Sequence, residues 1–149
     1  MSREPGWAPL PAAFDAVAAR LLADCPALGN DEVAAVALAA LRDDADGEIS
    51  GWIDDGELVA VYGLRQAGLS YHLCWLAAAP AWRNQRYGRS ALVDALRRCG
   101  RKPMTVEADE ALQGWFASIG FRTVGRQPLP GGGFRYRMGW YAPRLPRES

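Results

Sequence analysis

The chain has 149 residues, half of them apolar, and seventeen basic side chains balance seventeen acidic ones for a formal net charge of zero. That length and composition suit a single domain with enough material for its own core. The longest apolar run, Val33 to Leu41, has nine residues against the roughly 20 of a membrane helix, and "MSREPGWAPL" lacks the apolar stretch of a signal peptide.

Residues 1–10 show no periodic pattern and are expected to be loose. Phe14, Val17, Ala18, Leu21 and Leu22 recur at helical spacing, and Pro26 limits that helix to about residues 12–24. A second helix begins after Asn30 or Asp31, either of which can cap it, with Val33, Val36, Ala37, Ala40 and Leu41 as its apolar face. "EISGWID" and "ELVAVYGLR" then flank Asp55-Gly56, a dipeptide suited to a tight hairpin. "LSYHLCWLAAA" follows as a third strand, too apolar for an edge, and Pro80 ends it because proline cannot donate to a ladder. A helix from about Gly88 to Cys99 buries Leu92, Ala95, Leu96 and Cys99, and Arg97, Arg98, Arg101 and Lys102 gather at its C-terminal end. "PMTVEA" reads as a strand. "DEALQGWFASIG" reads as a short helix capped by Asp109 and closed by Gly120. A last hairpin of "FRTVGRQPL" and "FRYRMGWY" turns across Pro130 to Gly133, and residues 143–149 form a loose tail.

This order implies a mixed sheet with helices on its faces. The three meander strands are antiparallel, and the step through the Gly88–Cys99 helix to "MTVEA" is a parallel, right-handed crossover. Ligands of open sheets sit beyond strand C-termini near such crossover helices. The residues there are "PAWRNQRYGRSAL", positions 80–92, with Arg83, Arg86 and Arg89 around Gly88. One reading is a solvated loop. The other is an oxyanion cradle, with backbone N–H groups at a helix start, a glycine that admits close approach, and guanidiniums for phosphate oxygens.

The zero net charge hides an asymmetry. Residues 1–60 hold twelve carboxylates against three arginines, net −9, and residues 61–149 hold fourteen basic side chains against five carboxylates, net +9. Two solvated faces account for this without a ligand; an anion-attracting half and a cation-attracting half are the functional alternative. Cys25, Cys74 and Cys99 have neither CxxC spacing nor a histidine cluster, which argues against disulfides and zinc and fits core thiols in a reducing cytoplasm.

"LAAAPAWRNQRYGRSAL" resembles the acetyl-CoA loop of the GNAT superfamily of N-acetyltransferases, where a small-apolar run and a proline end a strand and R-x-x-G-x-G/A opens a helix. Pro80, Arg83, Gly88 and Leu92 fall on the matching positions, and "WFASIGFRTVG" resembles the family's f-Y-e-x-x-G-F segment with Gly120-Phe121 in register. The likeness covers roughly two-thirds of the chain, from about residue 48, and no first strand is legible before residues 12–24. It implies a GNAT-like α/β (α+β) fold, a mixed, mostly antiparallel central sheet flanked by helices on both faces. It also implies acetyl-CoA as cosubstrate, without a metal, held by Leu76, Ala77, Ala78, Arg83, Asn84, Gln85, Arg86, Tyr87, Gly88, Arg89, Ser90 and Phe116. Two positions depart from the family pattern. Arg86 replaces the first glycine of the motif, and Phe116 replaces the tyrosine that often protonates the departing thiolate.

The reaction implied is acetyl transfer to a primary amine of a small molecule or peptide, by direct attack in a ternary complex. Carbonyl polarisation falls to a backbone N–H where the third strand splays near Leu76 to Ala78. A thiol titrating near ~8.5 can take its proton from water, so Phe116 need not abolish turnover. Candidate bases are His72 and Glu107; Tyr71, Tyr87 and Ser118 are candidate acids. Each has a plainer reading as a packed or outward-facing residue. The alternative function, motivated by Phe116, is an acyl-CoA-binding module with little or no transferase activity. Nucleic-acid binding through Arg83, Arg86, Arg89, Arg97, Arg98, Arg101 and Lys102 is opposed by the acidic first third. The acceptor, the acyl chain length and a homodimer are left open.

Overall fold

Asp55 and Gly56 both take positive φ, 52° and 78°, as a two-residue primed turn requires, and the strands on either side pair back on each other. They belong to a computed structural model that describes residues 6–24, 28–80, 87–100 and 102–141. In chain order the elements are β1 (Trp7–Pro9), a 3-10 turn (Ala12–Phe14), α1 (Asp15–Leu22), α2 (Asp31–Asp43), β2 (Gly47–Asp54), β3 (Glu57–Ala67) and β4 (Ser70–Ala78). Then come α3 (Tyr87–Cys99), β5 (Met104–Ala108), α4 (Glu110–Ile119), β6 (Arg122–Pro128) and β7 (Phe134–Trp140). One seven-stranded sheet runs β1-β2-β3-β4-β5-β7-β6, antiparallel except for the parallel β4–β5 pair. The mixed, mostly antiparallel sheet with helices on both faces is therefore as expected.

Two cores lie on the two faces of this sheet. On one, Leu22 of α1 and Leu38 and Leu41 of α2 pack on Ile49, Leu58, Val61 and Trp75. On the other, Leu92 and Leu96 of α3 and Phe116 and Ile119 of α4 pack on Tyr62, Leu64, Leu73, Val106 and Met138. Asn30 caps α2 by accepting from the Val33 N–H at 2.8 Å, and Asp109 caps α4 by accepting from the Leu112 N–H at 2.8 Å. Gly120 ends α4 at φ 129° and pairs its N–H with the carbonyls of Phe116 and Ala117.

Two expectations are corrected. The first ten residues are not wholly loose: Trp7–Pro9 adds an edge strand to β2 and Leu10 is 2% exposed. Three residues carry too little alternation to announce a strand. The buried face of α2 is Ala34, Leu38 and Leu41, whereas Val33 and Val36 are 44% and 66% exposed. A helix this rich in alanine offers two apolar stripes, and only the partner selects one. Among the described residues no helix is long and apolar enough to cross a membrane.

Candidate active site

Strands β4 and β5 are parallel neighbours over two rungs only, Tyr71↔Met104 and His72↔Thr105. Beyond them β4 stays laddered to β3 as far as Ala78, and β5 stays laddered to β7 as far as Ala108. The sheet parts, and two strand edges face each other across a wedge.

A bulge shapes the β4 side of the wedge. Gly63 pairs with Trp75 but Leu64 pairs with Leu73, so Cys74 is the extra residue. Simple alternation would put Leu73 and Leu76 on opposite faces. With the bulge both pack on the α3–α4 side, while Cys74 and Trp75 both pack on the α1–α2 side. Leu76 is thus aimed at the start of α3. A Cβ built on Gly88 would stand 3.7 Å from Trp115 Cζ2 and 4.0 Å from Leu76 Cδ2, ordinary contact distances. Packing against these side chains does not require a glycine there.

Next to this helix start, four aromatic rings gather. Trp7 meets Trp52 at 5.6 Å and Tyr62 at 5.4 Å between centroids, and Trp52 meets Tyr87 at 5.5 Å. The Trp7 indole N–H donates to Ser90 Oγ at 2.9 Å, tying the edge strand to the first turn of α3. Trp52 Nε1 is buried and has no hydrogen-bond partner among the described residues. Tyr62, fully buried, donates to Asp94 Oδ2 at 2.5 Å. Burial first, and then the Asp94 carboxylate, pushes the Tyr62 phenol well above its usual range.

The other face of the wedge is polar. His72, Thr105 and Glu107 alternate with core residues and so share that face. His72 Nδ1 lies 2.9 Å from Thr105 Oγ1. Burial lowers the imidazole from its usual value; Glu107 pulls it back up and Arg65 adds to the lowering. The lowering favours the neutral imidazole, and the tautomer that donates from Nδ1 to Thr105 Oγ1 is the one whose Nε2 can take a proton. Glu107 Oε2 is 3.8 Å from Arg135 Nη1, both side chains being exposed.

The comparisons agree with this geometry. The chain matches the Acetyltransferase (GNAT) domain over residues 27–137. The chain belongs to the GNAT acetyltransferase family. Among solved structures, the GNAT chain is similar to an aminoglycoside 6'-N-acetyltransferase complexed with coenzyme A, at 15% identity and a TM-score of 0.75 over 93% of this chain and 98% of that one. It is also similar to a histone acetyltransferase HPA2 and related acetyltransferase from Corynebacterium glutamicum, at 18% identity and a TM-score of 0.76 over 97% and 99% of the two chains. A Bacillus subtilis acetyltransferase in complex with CoA gives 13% identity and a TM-score of 0.72 over 93% and 99%. No curated protein matches by sequence.

Within this GNAT domain the expected site residues divide. Leu76, Ala77 and Ala78 form one edge of the wedge, and Tyr87, Gly88, Arg89 and Ser90 form the first turn of α3. Arg83, Asn84, Gln85 and Arg86 lie outside the described residues. His72 and Glu107 are brought together, but Tyr71 packs on the opposite face and donates to Gln66 Oε1 at 3.3 Å. Ser118 donates to the Trp115 carbonyl at 2.6 Å. Phe116 is 4% exposed, its ring set edge-on against Trp115 and Phe121 as part of the core. Sequence reasoning missed Thr105, although its spacing of two from Glu107 places both on one strand face. It also missed Tyr141, whose ring lies over Gly139, so close that a Cβ there would be 2.5 Å from Cε2. Gly139 is the rung partner of Thr105, and only the sheet register brings the phenol near that row.

Proposed function

We propose that the protein transfers an acetyl group from acetyl-CoA to a primary amine of a small molecule or peptide, by direct attack in a ternary complex. The observation that supports this most is the parting of β4 and β5 just past His72 and Thr105, with the α3 start on one face and the polar row on the other. Acetyl-CoA supplies the thioester whose carbonyl carbon the amine attacks. The diphosphate sits at the start of α3 beside Gly88, where N–H groups and the helix dipole favour anions. The β4 edge beyond His72 orients the thioester, and a backbone N–H in that region polarises its carbonyl.

With that helix side taken by the donor, an amine reaches the carbonyl from the polar face. His72 Nε2 accepts the ammonium proton lost as the C–N bond forms, and Thr105 holds the ring. The C–S bond breaks and the thiolate takes a proton from water, because Phe116 has none to give. The thiols of Cys74 and Cys99 are free, in keeping with a reducing, cytoplasmic setting. The buried Phe116 also favours a second reading, an acyl-CoA-binding module with little transfer.

A melting curve with acetyl-CoA tests both readings. At 100 times its dissociation constant the ligand should stabilise the fold by ~2.7 kcal/mol, and an unmoved curve removes both. Free-thiol release across an amine panel then separates enzyme from binder. Gly88→Ala should keep the melting temperature of the free protein and lose the acetyl-CoA shift; a retained shift would move the diphosphate elsewhere.

A further inference from the structure

Among the described residues no helix packs on the sheet face of His72 and Thr105 where it continues over β5, β7 and β6, and the Tyr141 ring lies over it at Gly139. Among the described residues helices α1 and α2 pack chiefly on β2, β3 and β4, and α4 packs on the opposite face of β5 and β7. Across this face the rungs read Glu107–Arg137–Gly125 and Arg135–Gln127. Tyr136 and Met138 belong to the α3–α4 side, so Arg135 and Arg137 face the other way. Together with Arg126 these residues line a cleft of about 110 Å³. One water occupies roughly 30 Å³ in the liquid, so a carboxylate or a phosphate group fits.

The guanidiniums here are not equivalent. Arg126, the rung partner of Tyr136, turns its guanidinium to the other face, over the Phe134 ring at 4.4 Å. Arg135 shares Glu107 at 3.8 Å, an exposed pair that holds weakly. Arg137 has no carboxylate within 4.0 Å and no hydrogen bond among the described residues. It nevertheless has a built position. Gly125 sits on its rung, and a Cβ there would stand 3.0 Å from Arg137 Nη2, so the guanidinium lies on bare backbone. Two arginines against one carboxylate leave the cleft positive.

We propose that this cleft binds an oxyanion, carboxylate or phosphate, carried by the acceptor amine, with Arg137 as the main contact and Arg135 and Gln127 beside it. The proposal rests on the acetyl-transfer reading and deepens it. The Arg137 guanidinium rests on Gly125 of β6, three strand spacings from His72 on β4, roughly 15 Å of sheet. The fitting acceptor is therefore an ω-amino acid or aminoalkyl phosphate, in which several bonds separate amine from anion.

Four matched amines test this: 5-aminopentanoate, 4-aminobutyl phosphate, pentylamine and 1,5-diaminopentane, each with acetyl-CoA. At least one anionic amine should exceed pentylamine in kcat/KM by about tenfold or more, the scale of a hydrogen bond to a charged group. The diamine should be poorest, and the carboxylate-to-phosphate ratio names the natural anion. Arg137→Gln and Gly125→Ala should each bring the anionic-to-pentylamine ratio toward one. Preference for pentylamine or the diamine, or a ratio that Arg137→Gln leaves unchanged, overturns the proposal while acetyl transfer stands. If no amine turns over, the transfer reading fails. The cleft is then decided by NMR: 5-aminopentanoate should shift the Gly125 amide in the wild type and not in Arg137→Gln, and no shift in either sinks it.

Discussion

His72 and Thr105 form the last rung that joins β4 to β5, and their side chains meet as well, Nδ1 lying 2.9 Å from Oγ1. The group proposed as base is therefore fixed at the apex of the wedge. Thr105→Val keeps the shape and removes the hydroxyl. It should lower kcat/KM by about tenfold at most, the worth of one neutral hydrogen bond, and leave the acetyl-CoA melting shift intact. A loss of that shift would assign Thr105 to donor binding instead.

The lowered His72 pKa has a consequence for stability as well as rate. Burial makes the folded protein hold this proton more weakly than the unfolded chain does, whose value is 6.5. Stability is then fully present above 6.5 and declines as pH falls through the folded value. Thermal melts of wild type and His72→Asn between pH 7 and pH 4 should show a smaller loss in the variant. The acid limb of kcat/KM should lie below 6.5, and a limb above it would exclude His72 as base.

Tyr62 titrates in the opposite sense. Its phenol is raised from 10.0 by burial and Asp94, so stability it contributes is complete below pH 10 and falls as pH rises past it. Tyr62→Phe leaves the Asp94 carboxylate without the 2.5 Å donor it now has from Tyr62. Urea unfolding at pH 7 should show a loss of about 1–3 kcal/mol, and the decline above pH 10 should flatten.

Phe116→Tyr restores the residue type of the family motif, yet the ring is 4% exposed among Trp115 and Phe121. A hydroxyl buried there without a partner should cost about 1–3 kcal/mol and leave kcat unchanged. A faster enzyme of undiminished stability would mean that the ring tip reaches the thiolate.

Gly120 is the glycine of the Gly-Phe motif, and its role is structural. Its φ is 129° and an added Cβ would meet Trp140 Cζ3 at 2.5 Å. Gly120→Ala should destabilise by roughly 2–4 kcal/mol through strain and overpacking, read as a lower urea midpoint. A neutral substitution would mean that Trp140 can move aside.

Wherever the determining interaction was local, the sequence alone determined the outcome. Asp55-Gly56 specified a hairpin, Asp109 and the Asn30-Asp31 pair specified caps, Pro80 ended β4, and the crossover into "MTVEA" came out parallel. In each case the backbone preference of a few adjacent residues leaves little choice. The loop at 80–92 and the Gly-Phe segment marked the family because their spacing lies within one stretch of chain. The tertiary structure decided whatever needed a partner from elsewhere. Trp7–Pro9 is a strand because β2 is beside it, Val33 and Val36 are exposed because α1 and the sheet take the other stripe of α2, and Leu76 faces α3 because Cys74 bulges. Thr105 beside His72, and Arg137 resting on Gly125, follow from register between strands far apart in sequence. Side-chain alternation assigns a residue to a face, but only the pairing of strands assigns it a neighbour.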